Sequence, residues 1–133
     1  MDKAMGYIGL ARRSGNIELG EQRAKALVKS GRARLLIVAS DTSPGAKRRA
    51  EGYVYGYQTP LINVPYTKEA ISQAVGVPGC SMAAFADAGL ALGFVRALDT
   101  QDETCAAAAA ALEQRLERGR SAGRNSGNRR KRI

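Results

Sequence analysis

The sequence predicts an α/β protein: a three-layer α/β/α sandwich around a small mixed, mostly parallel four-stranded sheet. Three observations predict it. Segments with helical spacing alternate with short extended segments along the first 100 residues, the order that places helices on both faces of a sheet. One extended segment, Arg34 to Ala39, is a continuous apolar run between turn signals, the mark of a strand buried on both faces. The length of 133 residues, with 44% hydrophobic and 25% charged side chains, suits one domain with its own core.

Each element has a local reason. Lys3 to Arg13 has helical spacing, with Met5, Ile8 and Leu10 apolar. Arg12 and Arg13 suit its C-terminus, and Gly15 stops it. Asn16 to Leu19 is a short extended piece. Gly20 opens a second helix through Lys29, with Ala24, Leu27 and Val28 inward, and Gly31 ends it. After the Arg34–Ala39 strand, Ser43 is a good N-cap and Pro44 suits a first helical position, so a third helix is expected to about Tyr57. Leu61 to Val64 is a short strand. Thr67 starts a fourth helix that ends at Gly76, and Val77-Pro78-Gly79 is a loop. Cys80 to Ala86 is extended, and Ala88 to Leu98 forms a fifth helix. Cys105 to Leu116 reads CAAAAAALEQRL, the highest helix propensity available, with a thin apolar stripe at Leu112 and Leu116. From Gly119 the chain is Gly, Ser, Asn and Arg with almost nothing to bury, and it reads as a disordered basic tail. The organisation is therefore a domain over 1–100, a helix over 101–118 and a tail over 119–133.

Composition excludes several function classes. There is no histidine, which removes the commonest general base, the usual partner of a nucleophilic serine or cysteine, and the commonest transition-metal ligand. No metal or cofactor is expected. Cys80 and Cys105 lie 25 residues apart without a CxxC or disulfide framework, which fits a reducing cytoplasm. The N-terminus lacks a signal-peptide pattern, and the longest apolar run is far shorter than the ~20 residues of a membrane helix. A cytoplasmic protein without a membrane partner is expected. The net charge is +9, unevenly spread: +7 over residues 1–49, −5 over 50–117 and +7 over 118–133. A polyanion is the natural partner, and nucleic acid leads.

Several motifs, in order, carry a family resemblance: GLARRSG followed by LGE, the strand ending in ASD, then VPYTKE followed by a strand ending at Asp87-x-Gly89. Together they resemble the ribosomal protein superfamily typified by the archaeal L-seven-Ae and the eukaryal L-thirty-e, most closely its bacterial YlxQ-like branch. The resemblance covers about residues 3–98 and leaves out the alanine-rich helix and the tail. It implies binding of kink-turn RNA, a sharply bent helix built on tandem sheared G·A pairs with an extruded nucleotide. The family binds it through the start of the second helix and an apolar loop before the last strand. The family pattern at that helix reads glycine, any residue, asparagine, glutamate, with a lysine three residues on. It falls here on Gly20, Glu21, Gln22, Arg23 and Ala26, and the second loop falls on Val77, Pro78, Gly79 and Cys80. Gln22 keeps an amide that donates and accepts. Arg23 replaces a carboxylate and has donors only, which suit guanine's other edge or phosphate. Ala26 lacks the lysine, and Lys25 points about 100° away around the helix.

The residues support a site there on their own chemistry. Gly20 sits at a helix start, where free N–H groups and the positive dipole end attract phosphate, and no side chain blocks approach. Arg12, Arg13, Arg23, Lys25, Lys29, Arg32 and Arg34 surround it in sequence. The plainer reading is a helix cap beside a solvated face. Lys47, Arg48 and Arg49 span about 200° of helix surface and read as a solvated face. Val77 and Pro78 can pack an extruded base, or be an ordinary loop. Tyr53, Tyr55 and Tyr57 diverge on a helix and read as edge packing. The tail arginines, Arg118 to Arg132, add salt-sensitive, sequence-independent affinity or serve solubility alone.

The competing class is a small enzyme. No phosphate-binding loop or GxSxG elbow is present. Asp41, at the end of a buried strand, is the best lone candidate, although Asp before Ser-Pro is usually structural; Asp87 reads as a helix cap. A third class is a protein–protein adaptor of the translation or transcription machinery. The expectation is a monomeric, non-catalytic protein that binds structured RNA of the kink-turn kind, ribosomal RNA included.

Overall fold

The structure, a computed structural model, describes residues 2–99 and 101–132, with side chains up to Gly119. Helix α1 (Lys3–Arg13) begins at Asp2, whose carboxylate accepts the Ala4 N–H at 2.8 Å. The edge strand β1 (Ile17–Leu19) leads through Gly20 into α2 (Glu21–Lys29). Strand β2 (Leu35–Val38) precedes α3 (Pro44–Val54), capped by the Ser43 hydroxyl. Strand β3 (Leu61–Asn63) precedes α4 (Lys68–Val75), which Thr67 caps and left-handed Gly76 closes. Strand β4 (Met82–Phe85) precedes α5 (Ala88–Ala97), capped by Asp87, and α6 (Glu103–Arg132) follows. Each such side-chain cap is worth about 1 kcal/mol, which sets these short helices' starts.

The sheet order is β1-β4-β2-β3. Strands β2 and β4 are buried at every position because helices cover both faces, and their side chains alternate between two cores. Leu35, Ile37, Ala83 and Phe85 face α1, α4, α5 and α6, meeting Ile8, Ile71, Phe94 and Leu112. Leu36, Val38, Met82 and Ala84 face α2 and α3, meeting Val28, Ala46 and Ala50. The three-layer α/β/α architecture is thus present around a mixed sheet.

The strand directions correct the expectation of a mostly parallel sheet. Only β2 and β3 pair in parallel; β4 is antiparallel to both β1 and β2. Burial on both faces does not report direction. Helix α4 has eight residues, about 12 Å. It starts beside Asp41, which accepts the Lys68 N–H, and the chain after it returns to Ala39, whose N–H donates to the Ser81 carbonyl. Strand β4 therefore begins at the end where β2 finishes and must run the other way.

Two boundaries also move. Helix α3 stops at Val54, three residues before the expected Tyr57; Tyr55 is extended and exposed, so the three tyrosines share no helix. Helix α6 continues to Arg132, through the segment that reads from sequence as a disordered tail. Extending a nucleated helix needs only one hydrogen bond per residue. The side chains of the tail from Arg120 lie outside the described residues. Cys105, Ala108 and Leu112 of α6 are buried in the same core as α1 and α5, so this helix is a structural part of the domain.

Candidate nucleic-acid interface

The end of the sheet where β1 finishes and β4 begins carries the sequence-predicted site. The Gly20 N–H donates to the Met82 carbonyl at 2.9 Å, which fixes the start of α2 against β4. Gly20 has φ +92° and ψ 158°, a conformation essentially restricted to glycine. No side chain caps α2, and a Cβ on Gly20 would meet nothing within 4 Å. The first-turn N–H groups of α2 are thus left without a side-chain cap, an arrangement that suits a phosphate.

Glu21 is held away from any ligand. Arg49 donates to both its oxygens, Nε at 2.7 Å and Nη2 at 3.1 Å, and the Tyr53 hydroxyl donates to Oε2. The Arg49 guanidinium and then the Tyr53 hydroxyl bring the Glu21 carboxyl down to about 2. The same contacts raise the pKa of Arg49 and of Tyr53. Glu21 is thus the tie between α2 and α3. Arg49, read from sequence as one of three solvated cations, is the other half of that tie.

Gln22 and Arg23 are exposed at the front of α2. Arg23 points towards β1, where it lines a cleft of about 440 Å³ with Arg12, Glu18 and Val77. A smaller recess of about 250 Å³ runs from Arg23 past Ala26 to Arg32. Lys25 and Lys29 take the opposite side: their ammonium groups lie over the rings of Tyr53 (5.4 Å) and Tyr57 (5.1 Å). Lys29 stands at the far end of α2, about 13 Å from Gly20 along the helix, and Arg32 lies just beyond it. The structure therefore unites Gly20, Gln22, Arg23, Arg12 and Val77, and separates Lys25 and Lys29 from them.

In the second loop, Val77 is half-buried against the core while Pro78 and Gly79 are exposed. Cys80 corrects the expectation. It is 1% exposed, its N–H donates to the Ser72 hydroxyl, and its Sγ lies 3.4 Å from the Val77 carbonyl. Its thiol packs inside the loop, against the Val77 carbonyl. Burial pushes the Cys80 and Cys105 thiols up, which suits neither to nucleophilic work.

The enzymatic candidates have structural employment. Asp41 accepts the first N–H of α4, and Asp87 accepts the Leu90 N–H at 2.8 Å. Among the described residues no group of side chains is arranged to hold a metal ion, and no helix is long and apolar enough to cross a membrane. Sequence reading missed the Glu21–Arg49–Tyr53 tie and the place of Glu18 in the cleft; partners 28 and 32 residues apart leave no local signal.

The profile of the "Ribosomal protein L7Ae/L30e/S12e/Gadd45 family" matches residues 2–91. A protein of Enterococcus faecium, "RNA-binding protein YlxQ", is 32% identical over 76 residues, covering 57% of this chain and 73% of that protein. Two solved structures share the fold. A protein of unknown function from Bacillus halodurans C is 24% identical with a TM-score of 0.68, covering 75% of this chain and 100% of that one. The Giardia lamblia 15.5kD RNA binding protein is 18% identical with a TM-score of 0.60, covering 71% of this chain and 81% of that one.

Proposed function

Because this chain belongs to the ribosomal protein L7Ae/L30e/S12e/Gadd45 family, we propose that it is a non-catalytic RNA-binding protein whose site is the end of the sheet around Gly20. The carrying observation is the uncapped, unobstructed start of α2 beside the cleft that joins Arg23 to Val77. The RNA is a sharply bent, kink-turn-like structure, ribosomal RNA included. A phosphate of the bend meets the N–H groups after Gly20. Gln22 reads a base edge through its amide, and Arg23 donates to a phosphate or to guanine's N7 and O6. Val77 and Pro78, with Gly79 allowing the turn, pack the extruded base. The protein acts as a monomer in the cytoplasm, where reducing conditions keep both buried thiols free.

Capture of a bend needs shape and a few placed donors, which is what the site offers; Glu21 positions the helix by pairing internally. The test is a fluorescence-anisotropy titration of a kink-turn RNA at two salt concentrations, against the same RNA with its G·A pairs disrupted. The intact motif should bind at least tenfold tighter, about 1.4 kcal/mol. Equal binding of the two overturns the kink-turn part, and binding of neither overturns the RNA reading altogether.

A further inference from the structure

Basic side chains also gather at the opposite end of the sheet. The Arg34 N–H donates to the Phe85 carbonyl at 2.7 Å, whereas Gly20 is bound to Met82 at the other end of β4. The steps between those two residues span about 10 Å, and the side chains lead further apart. Helix α6 passes this far end. Two hollows there, of about 370 and about 600 Å³, share Arg34, Arg115 and Arg118. One runs on past Tyr57 and Thr59, the other past Asp87.

The charge in this groove is not met from within. Arg34 is half-buried, and its Nη1 donates to the Gly31 carbonyl at 3.2 Å. Burial and the neighbouring Arg115 guanidinium lower its pKa, against the pull of Asp87. Neither the Arg49–Glu21 nor the Arg96–Glu113 ion pair involves these three arginines. Asp87 already accepts the Leu90 N–H as the cap of α5. Three arginines thus line these hollows beside a single carboxylate, and that carboxylate is already committed to a helix start.

We propose that this groove is a second RNA contact, which binds backbone phosphates of the same RNA away from its bend. The proposal rests on the RNA-binding reading above. Guanidinium forks match phosphate oxygens in pairs. The groove continues beyond the arginines in both directions, which fits a chain of phosphates better than a single one. Such contacts position an RNA and carry no sequence information. Arg115 and Arg118 lie beyond residues 2–91, so α6 adds this contact to the matched domain. One RNA is then held at both ends of the sheet, with the bend at Gly20 and a flanking helix along α6.

The test uses the full chain and the substitutions R115Q/R118Q, which keep helix propensity, with K47Q/R48Q on α3 as the charge-matched control. Far-ultraviolet circular dichroism and melting show that each variant is folded. Affinity for the intact and disrupted kink-turn RNAs is measured across a salt series, with hydroxyl-radical footprinting of the intact RNA. The expected result is a log–log salt slope smaller by about 1.5, from ~0.7–0.9 per lost phosphate. It should be the same for both RNAs, with the preference for the intact motif kept and protection outside the bend lost. If R115Q/R118Q instead matches the control in slope and footprint while the unmodified chain still prefers the intact motif, the groove proposal falls and the Gly20 site stands. If the unmodified chain binds neither RNA, both fall.

Discussion

Replacing Gly20 with alanine separates backbone strain from every other consequence of adding a methyl group. A Cβ there meets nothing within 4 Å, so no steric contact with neighbours enters. What remains is the backbone, at φ +92° and ψ 158°, where a residue with a Cβ is strained by about 1–3 kcal/mol. Alanine also stiffens the unfolded chain, which recovers about 0.4–1 kcal/mol. The net expectation is a loss of about 1–2 kcal/mol, or roughly 3–8 °C in melting temperature for a domain of this size. Gly52→Ala is the internal comparison. It makes the same chemical change inside α3, also with open space around the new Cβ, where alanine is the better helix former by about 0.5–1 kcal/mol. Urea denaturation of both variants should therefore give opposite signs. In RNA titrations Gly20→Ala should cost about tenfold in affinity while Gly52→Ala changes nothing, because only the first places a methyl where a phosphate approaches α2. A Gly20→Ala protein as stable as the parent would refute the strain assignment, and one with unchanged RNA affinity would remove the phosphate from this helix start.

Other consequences follow from the same geometry. Arg23→Glu should weaken RNA binding at least tenfold in anisotropy titrations, whereas Lys25→Glu should cost much less, since Lys25 lies over Tyr53 on the other side of α2. Leu112→Ala should destabilise the protein by about 2–5 kcal/mol in urea, because Leu112 is 1% exposed and α6 is part of the core. The pKa of the Glu21 carboxyl is about 2 in the fold against 4.5 for an ordinary glutamate, so its contribution is complete above pH 4.5 and fades as the pH falls towards 2. Glu21→Gln should thus lower the urea midpoint slightly at pH 7, given the exposure of Arg49, and the gap should shrink at pH 3. A chain ending at Gly119 should keep its preference for an intact kink-turn while losing affinity equally for intact and disrupted RNAs, with a flatter salt dependence.

How much of this was legible follows from the range of each interaction. The helix starts at Ser43, Thr67 and Asp87 are written within three residues of the group they cap, and all three are where the sequence places them. Gly20 likewise announces a turn through its own chemistry. Strand direction is different: β4 is apolar on both faces whichever way it runs, and its insertion between β1 and β2 is decided by where α4 ends. The alanine run shows the same limit from another side. Cys105, Ala108 and Leu112 are buried while Ala106 and Ala107 are exposed, and within six identical residues no pattern distinguishes them. Cys80 reads as a loop residue by position, and only the fold turns its thiol inward. In the site, Gly20, Gln22 and Arg23 fall within four successive residues and could be read together; Arg12, Glu18 and Val77 reach the cleft beside Arg23 from three separate segments.

The carboxylates explain why a nearly balanced domain can still present basic sites. Residues 1–119 carry 15 Lys and Arg against 12 Asp and Glu, so two-thirds of the +9 sits in the segment after them. A mild overall field cannot by itself select an RNA; placement must. Asp2, Asp41, Asp87 and Asp102 accept backbone N–H groups at the starts of α1, α4, α5 and α6. Glu21 and Glu113 pair with Arg49 and Arg96. Half of the acidic side chains are committed to helix starts or ion pairs, where their charge is already answered by a dipole or a guanidinium. Cations outnumber carboxylates at two places: Arg12 and Arg23 share a cleft with Glu18, and Arg34, Arg115 and Arg118 share a hollow with Asp87. Committing those acids inside the fold leaves an excess of positive charge at both ends of the sheet, which is the arrangement the two proposed contacts need.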